Sequence, residues 1–314
     1  MARIKGQSDE QSEKLTAAVV RLQETARRKL EQRGHESLQL PMWDEDLRGM
    51  PNSFARGALF TAAKSDSKNK RYFYEGKLVA TLAGINLEYR GQELRQDDYS
   101  VFLAILHFGR HYELGKPIPF TAYTMLKELG WSINTTEYKH LRECCSRLSA
   151  TSVSVSQNHN SMPNQTGSGY EGSLIRSFAW KDENGKQLAQ WVVLLEPSIA
   201  VLFADPSFTL MSPAERKAIG GRSPLAQWLH SFLGTHREPY PISVTKYHEL
   251  SASRSDNMND FRRRLKVALT RLIEVGFLKE FTIKNDIVHV KRIPKNYRAP
   301  ILQTIPQIDC FNVA

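Results

Sequence analysis

Cysteine is nearly missing from this chain, and so is any long apolar run. Three cysteines stand among 314 residues. Cys144 and Cys145 are adjacent, Cys310 is far away, and no CxxC or Cys/His set has zinc-ligand spacing. A disulfide framework is excluded, no metal is expected, and a reducing compartment is implied. No apolar stretch approaches membrane-spanning length, and the opening MARIKGQSDEQSEK lacks the apolar centre of a signal peptide. These absences predict a cytoplasmic protein.

Catalytic signatures are also lacking. There is no Walker A loop, no HExxH, no GxSxG elbow, and no His-hydrophobic-His pair of the kind a metal-dependent nicking enzyme needs. Gly167-x-Gly169-x-x-Gly172 has the letters of a dinucleotide fingerprint. It sits in a polar loop and leads into a strand-like run, so the helix N-terminus that would cradle phosphate is missing. Asp97 and Asp98 read as helix-start residues rather than an acid–base pair. Neither enzymatic activity nor a cofactor is expected. Acidic residues are outnumbered, 33 to 43 Lys and Arg, giving a net charge of +10 that favours polyanionic partners.

The most informative segment that is present runs over 255–293. Phe261, Leu265, Ala268, Leu269 and Leu272 recur at helical spacing and share one face. The opposite face carries Asn259, Arg263, Lys266 and Thr270, flanked by Arg262, Arg264 and Arg271. Gly276 stops the helix, and two alternating runs, LKEFTIK and IVHVKRI, follow around Asn285-Asp286. A basic helix followed by a basic hairpin is the sequence form of a winged helix, in which the helix enters the DNA major groove and the hairpin reaches phosphates. Arg263 and Lys266 suit guanine, Asn259 suits adenine, and Thr270 serves several bases. Arg262, Arg264 and Arg271 are phosphate candidates. In the hairpin Lys284, His289 and Lys291 alternate with Phe281, Ile283, Val288 and Val290, placing the basic groups on the open face.

The same grammar occurs twice. In the second half, Ser223-Pro224 starts a helix, Pro239-x-Pro241 forces extended chain, and Ser243 caps a helix before the basic one. In the first half, Asp97 and Asp98 open a helix carrying Phe102, Ile105 and Leu106. Pro117-x-Pro119 follows, Thr121 caps a helix that Gly130 stops, and Asn134 with Glu137 caps a third. Tyr138, Leu141, Cys145 and Leu148 form the buried stripe of that third helix. Its outward set is Thr136, Lys139, Glu143, Ser146 and Arg147, with Arg142 to one side. Thr136, Lys139, Ser146 and Arg147 suit phosphate or base contacts, whereas Glu143 either accepts from cytosine or is solvated. Runs at 152–155 and 174–180 are expected as the wing strands.

The expected fold is therefore α+β: tandem winged-helix domains with an N-terminal helical and extended segment. The predicted layout is a helical arm (1–37), a segment packing on the first domain (38–92), domain 1 (93–205), domain 2 (206–298) and a tail (299–314). SQNHNSMPNQTGSGYEG, between the first wing strands, reads as a mobile loop. Leu15, Val19, Leu22, Ala26 and Leu30 make a short amphipathic stripe, suited either to docking or dimerisation or to a frayed helix.

LQLPMWDEDLRGMPNSFARGALFTA, at 38–62, resembles the opening of the TrfA-type plasmid replication initiators of broad-host-range plasmids. Its landmarks are Leu40-Pro41-x-Trp43, Arg48, Pro51-Asn52, Arg56 and Ala58-Leu59-Phe60. RYFYEGKLVATLAG and the two helix patterns extend the resemblance over roughly 38–298. The resemblance implies a bacterial protein that binds iteron repeats in double-stranded DNA at a plasmid origin. It implies help in opening an adjacent A·T-rich region, recruitment of the host replicative helicase alongside the host initiator DnaA, and exchange between monomer and homodimer. A transcription regulator of the same architecture is the alternative. Gln39, Leu40, Met42 and Trp43 also have the form of a sliding-clamp peptide, with Pro41 keeping them extended; the competing reading is packing on the first domain.

Overall fold

The computed structural model describes residues 38–64, 70–82, 85–157, 169–181, 185–203 and 207–294. The expected arm, the expected tail and the 158–168 stretch of the polar loop lie outside the described residues. The chain first forms β1 (Arg48–Pro51), α1 (Asn52–Ala55), β2 (Phe60–Thr61), β3 (Phe73–Leu78), β4 (Ile85–Gln92) and β5 (Leu94–Arg95). Next come α2 (Gln96–Gly109), β6 (Ile118–Phe120), α3 (Ala122–Leu129), α4 (Thr135–Ser149), β7 (Ser152–Gln157), β8 (Gly169–Gly172), β9 (Ser177–Lys181) and β10 (Gln187–Leu194). A 3-10 turn (Pro197–Phe203) leads to β11 (Phe208–Met211), α5 (Pro213–Ile219), α6 (Pro224–Gly234), β12 (Ile242–Ser243), α7 (Val244–Leu250), α8 (Met258–Glu274), β13 (Leu278–Lys284) and β14 (Ile287–Arg292). Among the described residues no helix is long and apolar enough to cross a membrane.

Local chemistry sets the helix ends. Thr121, Asn134 and Ser243 each accept a hydrogen bond from the backbone N–H three residues on, at 2.9–3.1 Å, satisfying donors that the first turn leaves free. Pro224 occupies the start of α6, where its missing N–H is no loss. Gly130 ends α3 in the left-handed region, at φ 70°. Asn285 and Asp286 adopt φ of 48° and 59°, the pair of positive values a tight two-residue hairpin turn requires.

The two halves build matching three-stranded antiparallel sheets. The short strand at or just after each Pro-x-Pro pairs with the last strand, which pairs with the strand before it: β6-β10-β9 and β12-β14-β13. The expected first wing is corrected here. β7 does not join β9. It pairs with β4, Leu87 opposite Val155 and Tyr89 opposite Val153, in a four-stranded sheet ordered β3-β4-β7-β8. The hairpin that corresponds to β13–β14 is instead made by β9 and β10, after the β7–β8 pair. Alternation identifies 152–155 as a strand but says nothing of its partner, and the six-residue ladder to β4 wins.

Two apolar cores result. One gathers Leu40, Trp43, Phe54, Phe60, Phe102, Leu141, Leu148 and Val193. The other gathers Leu225, Trp228, Phe232, Tyr247, Phe261, Leu265, Leu269 and Val288. A polar seam joins them. Buried Arg216 donates to the backbone and side-chain oxygens of Gln96 (2.9 and 3.0 Å), to Ser100 Oγ (2.9 Å) and to the Gln227 carbonyl (3.2 Å). Arg56 donates to Thr235, and the Trp228 indole to the Gly57 carbonyl at 3.1 Å. The 38–92 segment thus touches both cores rather than the first alone.

Candidate nucleic-acid interface

α8 is a sharply divided surface helix. Phe261, Leu265, Ala268, Leu269 and Leu272 are buried, as their spacing predicts, and fix the helix to the second core. Asn259, Arg263, Lys266 and Thr270 are exposed on the other side. Arg263 is 77% exposed and pairs with Asp260, one turn back, at 2.6 Å. Val267 is also exposed on this side, at 66%, a position that a search for polar side chains passes over.

The β13–β14 hairpin is tied to this helix from both ends. Phe281, Ile283 and Val290 pack against the second core and Val288 is buried in it, leaving Lys284, His289 and Lys291 outward. At the turn, Arg262 grips Asp286 with both arms, at 2.8 and 2.5 Å, and donates to Asn259 Oδ1 at 2.8 Å. Arg262, expected as a phosphate contact, therefore holds the hairpin tip beside the start of α8. Arg271 is likewise engaged, donating to the carbonyls of Ala218 and Ile219 and to Glu274. Arg264 is half-buried on the flank of the helix.

α4 presents Thr136, Lys139, Glu143 and Ser146 to solvent, and its stripe of Leu141, Cys145 and Leu148 is buried with Tyr138 packed at the edge. Arg147 is a correction. Its side chain is 11% exposed and donates to Asp98 at 2.9 Å, so it faces inward rather than DNA. Cys144, Arg147 and Leu148 share the helix flank that meets the start of α2, where Asp97 and Asp98 sit. Arg71 completes the cluster, at 2.7 Å from Asp97 and 2.6 Å from Asp98. Asp97, His140 and Cys144 also offer three metal-type ligand atoms within 4.8 Å of one another. Arg71 on Asp97 and Arg147 on the Cys144 sulfur (3.2 Å) supply the positive charge there, so the cluster reads as an ion-pair network. Burial opposes ionisation of Asp97, but the His140 hydrogen bond and the charges of Arg71, His140 and Arg147 hold its carboxyl well below the usual range. Burial pushes the Cys144 thiol up, leaving it inert.

Sequence reasoning missed an aromatic groove beside α4. Thr121, Tyr123, Tyr138, Lys139, Arg142 and Trp180 line an open cleft of about 550 Å³ between α3, α4 and the β9–β10 hairpin. The Arg142 guanidinium lies 4.4 Å from the Trp180 ring centroid, and Lys181 lies 4.6 Å from it. The interleaved aromatic and basic letters of FAWK were the available signal. Only the pairing of β9 with β10 shows that they face α4.

The 38–62 motif is structural. Leu40 is fully buried and Trp43 almost so, its ring stacked 6.0 Å from Phe203 and its indole N–H donated to His107 Nδ1 at 3.2 Å. The clamp-peptide reading of Gln39, Leu40, Met42 and Trp43 is therefore corrected in favour of packing, because its two main apolar anchors already fill the first core. Burial and the charges of Arg48 and Arg110 lower the His107 pKa to about 2, so the ring stays neutral and accepts from Trp43. Arg48 forks onto Glu128 at 3.2 and 2.5 Å, and Asn52 accepts from Thr209 at 2.7 Å.

A family described as TrfA protein matches residues 5–292. The chain belongs to the TrfA protein family. Among curated relatives it is similar to the plasmid replication initiator protein TrfA of Escherichia coli, with 31% identity over 252 residues. That match covers 80% of this chain and 63% of the relative, so the chain spans a little under two thirds of that protein's length. Among solved structures it is similar to domains 2 and 3 of RctB, with a TM-score of 0.49 and 14% identity, covering 77% of this chain and 98% of that one. A second crystal structure of RctB domains 2–3 gives 0.46 and 13%, covering 76% and 94%. TrfA-family membership is carried over nearly the whole described chain, beyond the 38–62 motif alone.

Proposed function

We propose that this chain is a plasmid replication initiator that binds iteron repeats in double-stranded DNA through two winged-helix modules, 93–205 and 206–298. In this reading α8 lies in a major groove, with Asn259, Arg263, Lys266 and Thr270 at base edges. Lys284, His289 and Lys291 of the β13–β14 hairpin reach neighbouring phosphates. α4 and the β9–β10 hairpin make a second, less basic contact through Thr136, Lys139, Arg142 and Ser146. Two linked readers on successive grooves gain affinity through effective concentration. Strain in the bound duplex favours melting of a weak neighbouring A·T-rich tract, where the host helicase is loaded alongside DnaA. The protein acts in the bacterial cytoplasm, by binding rather than catalysis, and exchanges between monomer and homodimer.

The observation that carries this reading is the divided α8 helix: an apolar stripe locked to the second core, a basic face left open, and a basic hairpin tethered beside it by Arg262–Asp286. Family membership supplies the biological setting. The test is a plasmid carrying the DNA that flanks the encoding gene, with footprinting of the same DNA. Replication only when the chain is supplied, with footprints over repeats, is expected. Footprints that repress a promoter without replication dependence would identify a transcription regulator instead.

A further inference from the structure

We infer that Val267 is a base-reading residue that recognises the C5-methyl group of a thymine in the bound repeat. The inference rests on the major-groove placement of α8 proposed above. Val267 is 66% exposed in the middle of α8. It lies one turn from Arg263 and from Thr270 and is adjacent in sequence to Lys266, so any duplex seated on those three side chains also covers it.

An exposed Val does nothing for this helix. Its branched Cβ makes it a poorer helix former than Ala, Lys or Arg, which fill neighbouring positions. The apolar stripe that holds α8 to the core passes through Ala268 and Leu269 on the other side, and both are buried. What Val offers is a short, stiff, branched apolar end with little rotamer freedom to lose on contact. Among the groups that bases display in the major groove, the thymine methyl is the one apolar group. A cluster of Arg, Lys and Thr hydrogen-bonding groups around one branched apolar side chain matches a site in which a thymine stands beside guanine.

The test uses the full chain and the repeat duplex defined by footprinting, with each thymine replaced in turn by deoxyuridine, which lacks only the methyl. Val267→Ala is the variant, and it folds because Ala favours the helix. Removing one methyl contact is expected to weaken wild-type binding roughly fourfold at a single thymine. Val267→Ala binds the unmodified repeat weaker by a similar factor and is indifferent to deoxyuridine at that thymine. If wild type and variant respond alike at every thymine, while both still prefer the repeat over random DNA, Val267 does not read a methyl and the initiator reading stands. If neither protein prefers the repeat, both readings fall.

Discussion

At the scale of single residues, the structure divides the basic groups into those free to meet DNA and those already committed. Lys266 has no partner among the described residues, and the Arg263–Asp260 pair is an exposed contact of the kind that contributes little and is easily exchanged. Arg263→Ala and Lys266→Ala are each expected to weaken binding to cognate repeats by about 1–3 kcal/mol, and random duplex much less, as read by anisotropy titration. Arg262 is committed, because its Nε and Nη2 lie on Asp286 and its Nη1 on Asn259 Oδ1. Asp286→Asn keeps a residue tolerant of the left-handed turn, loses the ion pair, and is expected to weaken binding just as Arg262→Ala does. Tighter binding by Asp286→Asn would mean that Arg262 is itself a phosphate contact, freed from an acidic competitor.

At the scale of elements, α4 is held by charge as well as by its apolar stripe. Removing Arg147 leaves Asp98 buried with Arg71 as its remaining cation, so Arg147→Met is expected to lower unfolding stability by about 3 kcal/mol in urea titration. Lys139→Ala, on the exposed face, should stay within about 0.5 kcal/mol. His140 is packed against Trp131 and sits among Asp97, Asp98, Arg147 and Cys144. Burial disfavours its imidazolium, but the hydrogen bond and charge of Asp97 outweigh that and raise its pKa above 6.5. Its contribution is therefore complete below about pH 6.5 and lost as pH rises through the raised value. Urea midpoints of wild type should fall as pH rises through that window, and those of His140→Gln should stay flatter; parallel profiles would remove His140 from the network.

The helices of the repeated grammar and the β13–β14 hairpin were legible, whereas β1–β5, α1, β8, β10, β11 and α5 were not. Caps at Thr121, Asn134 and Ser243, the stop at Gly130, the stripe of α8 and the Asn285-Asp286 turn all depend on chemistry within a few residues. Partners across the chain were not. Nothing local tells β7 to seek β4, or β10 to lie between β6 and β9. Arg147 shows the same limit at the site, because helical periodicity places it on an outward flank until Asp98 arrives from α2. Trp43 was ambiguous for a related reason: a Pro-extended apolar segment looks the same in sequence whether its groove belongs to a partner or to its own core.

At the scale of the molecule, Arg216 is the main polar link between the two cores. Arg216→Met would leave the Gln96 and Gln227 carbonyls without its hydrogen bonds, at a cost of about 1–3 kcal/mol each. Calorimetry is expected to resolve one cooperative transition into two in that variant; a single transition merely shifted in temperature would mean that other contacts, such as Arg56–Thr235, suffice. Loosening the seam should also reduce the gain from linking two readers, so repeat binding by Arg216→Met should approach that of the second module alone. The deciding measurement for α8 is the affinity of wild type and an Arg263→Ala, Lys266→Ala double variant for a footprinted repeat and for random duplex, across a range of salt. The double variant is expected to lose most of its preference for the repeat while retaining a salt-dependent affinity for both DNAs. Equal losses on the two DNAs, with the preference intact, would contradict α8 as the reading helix.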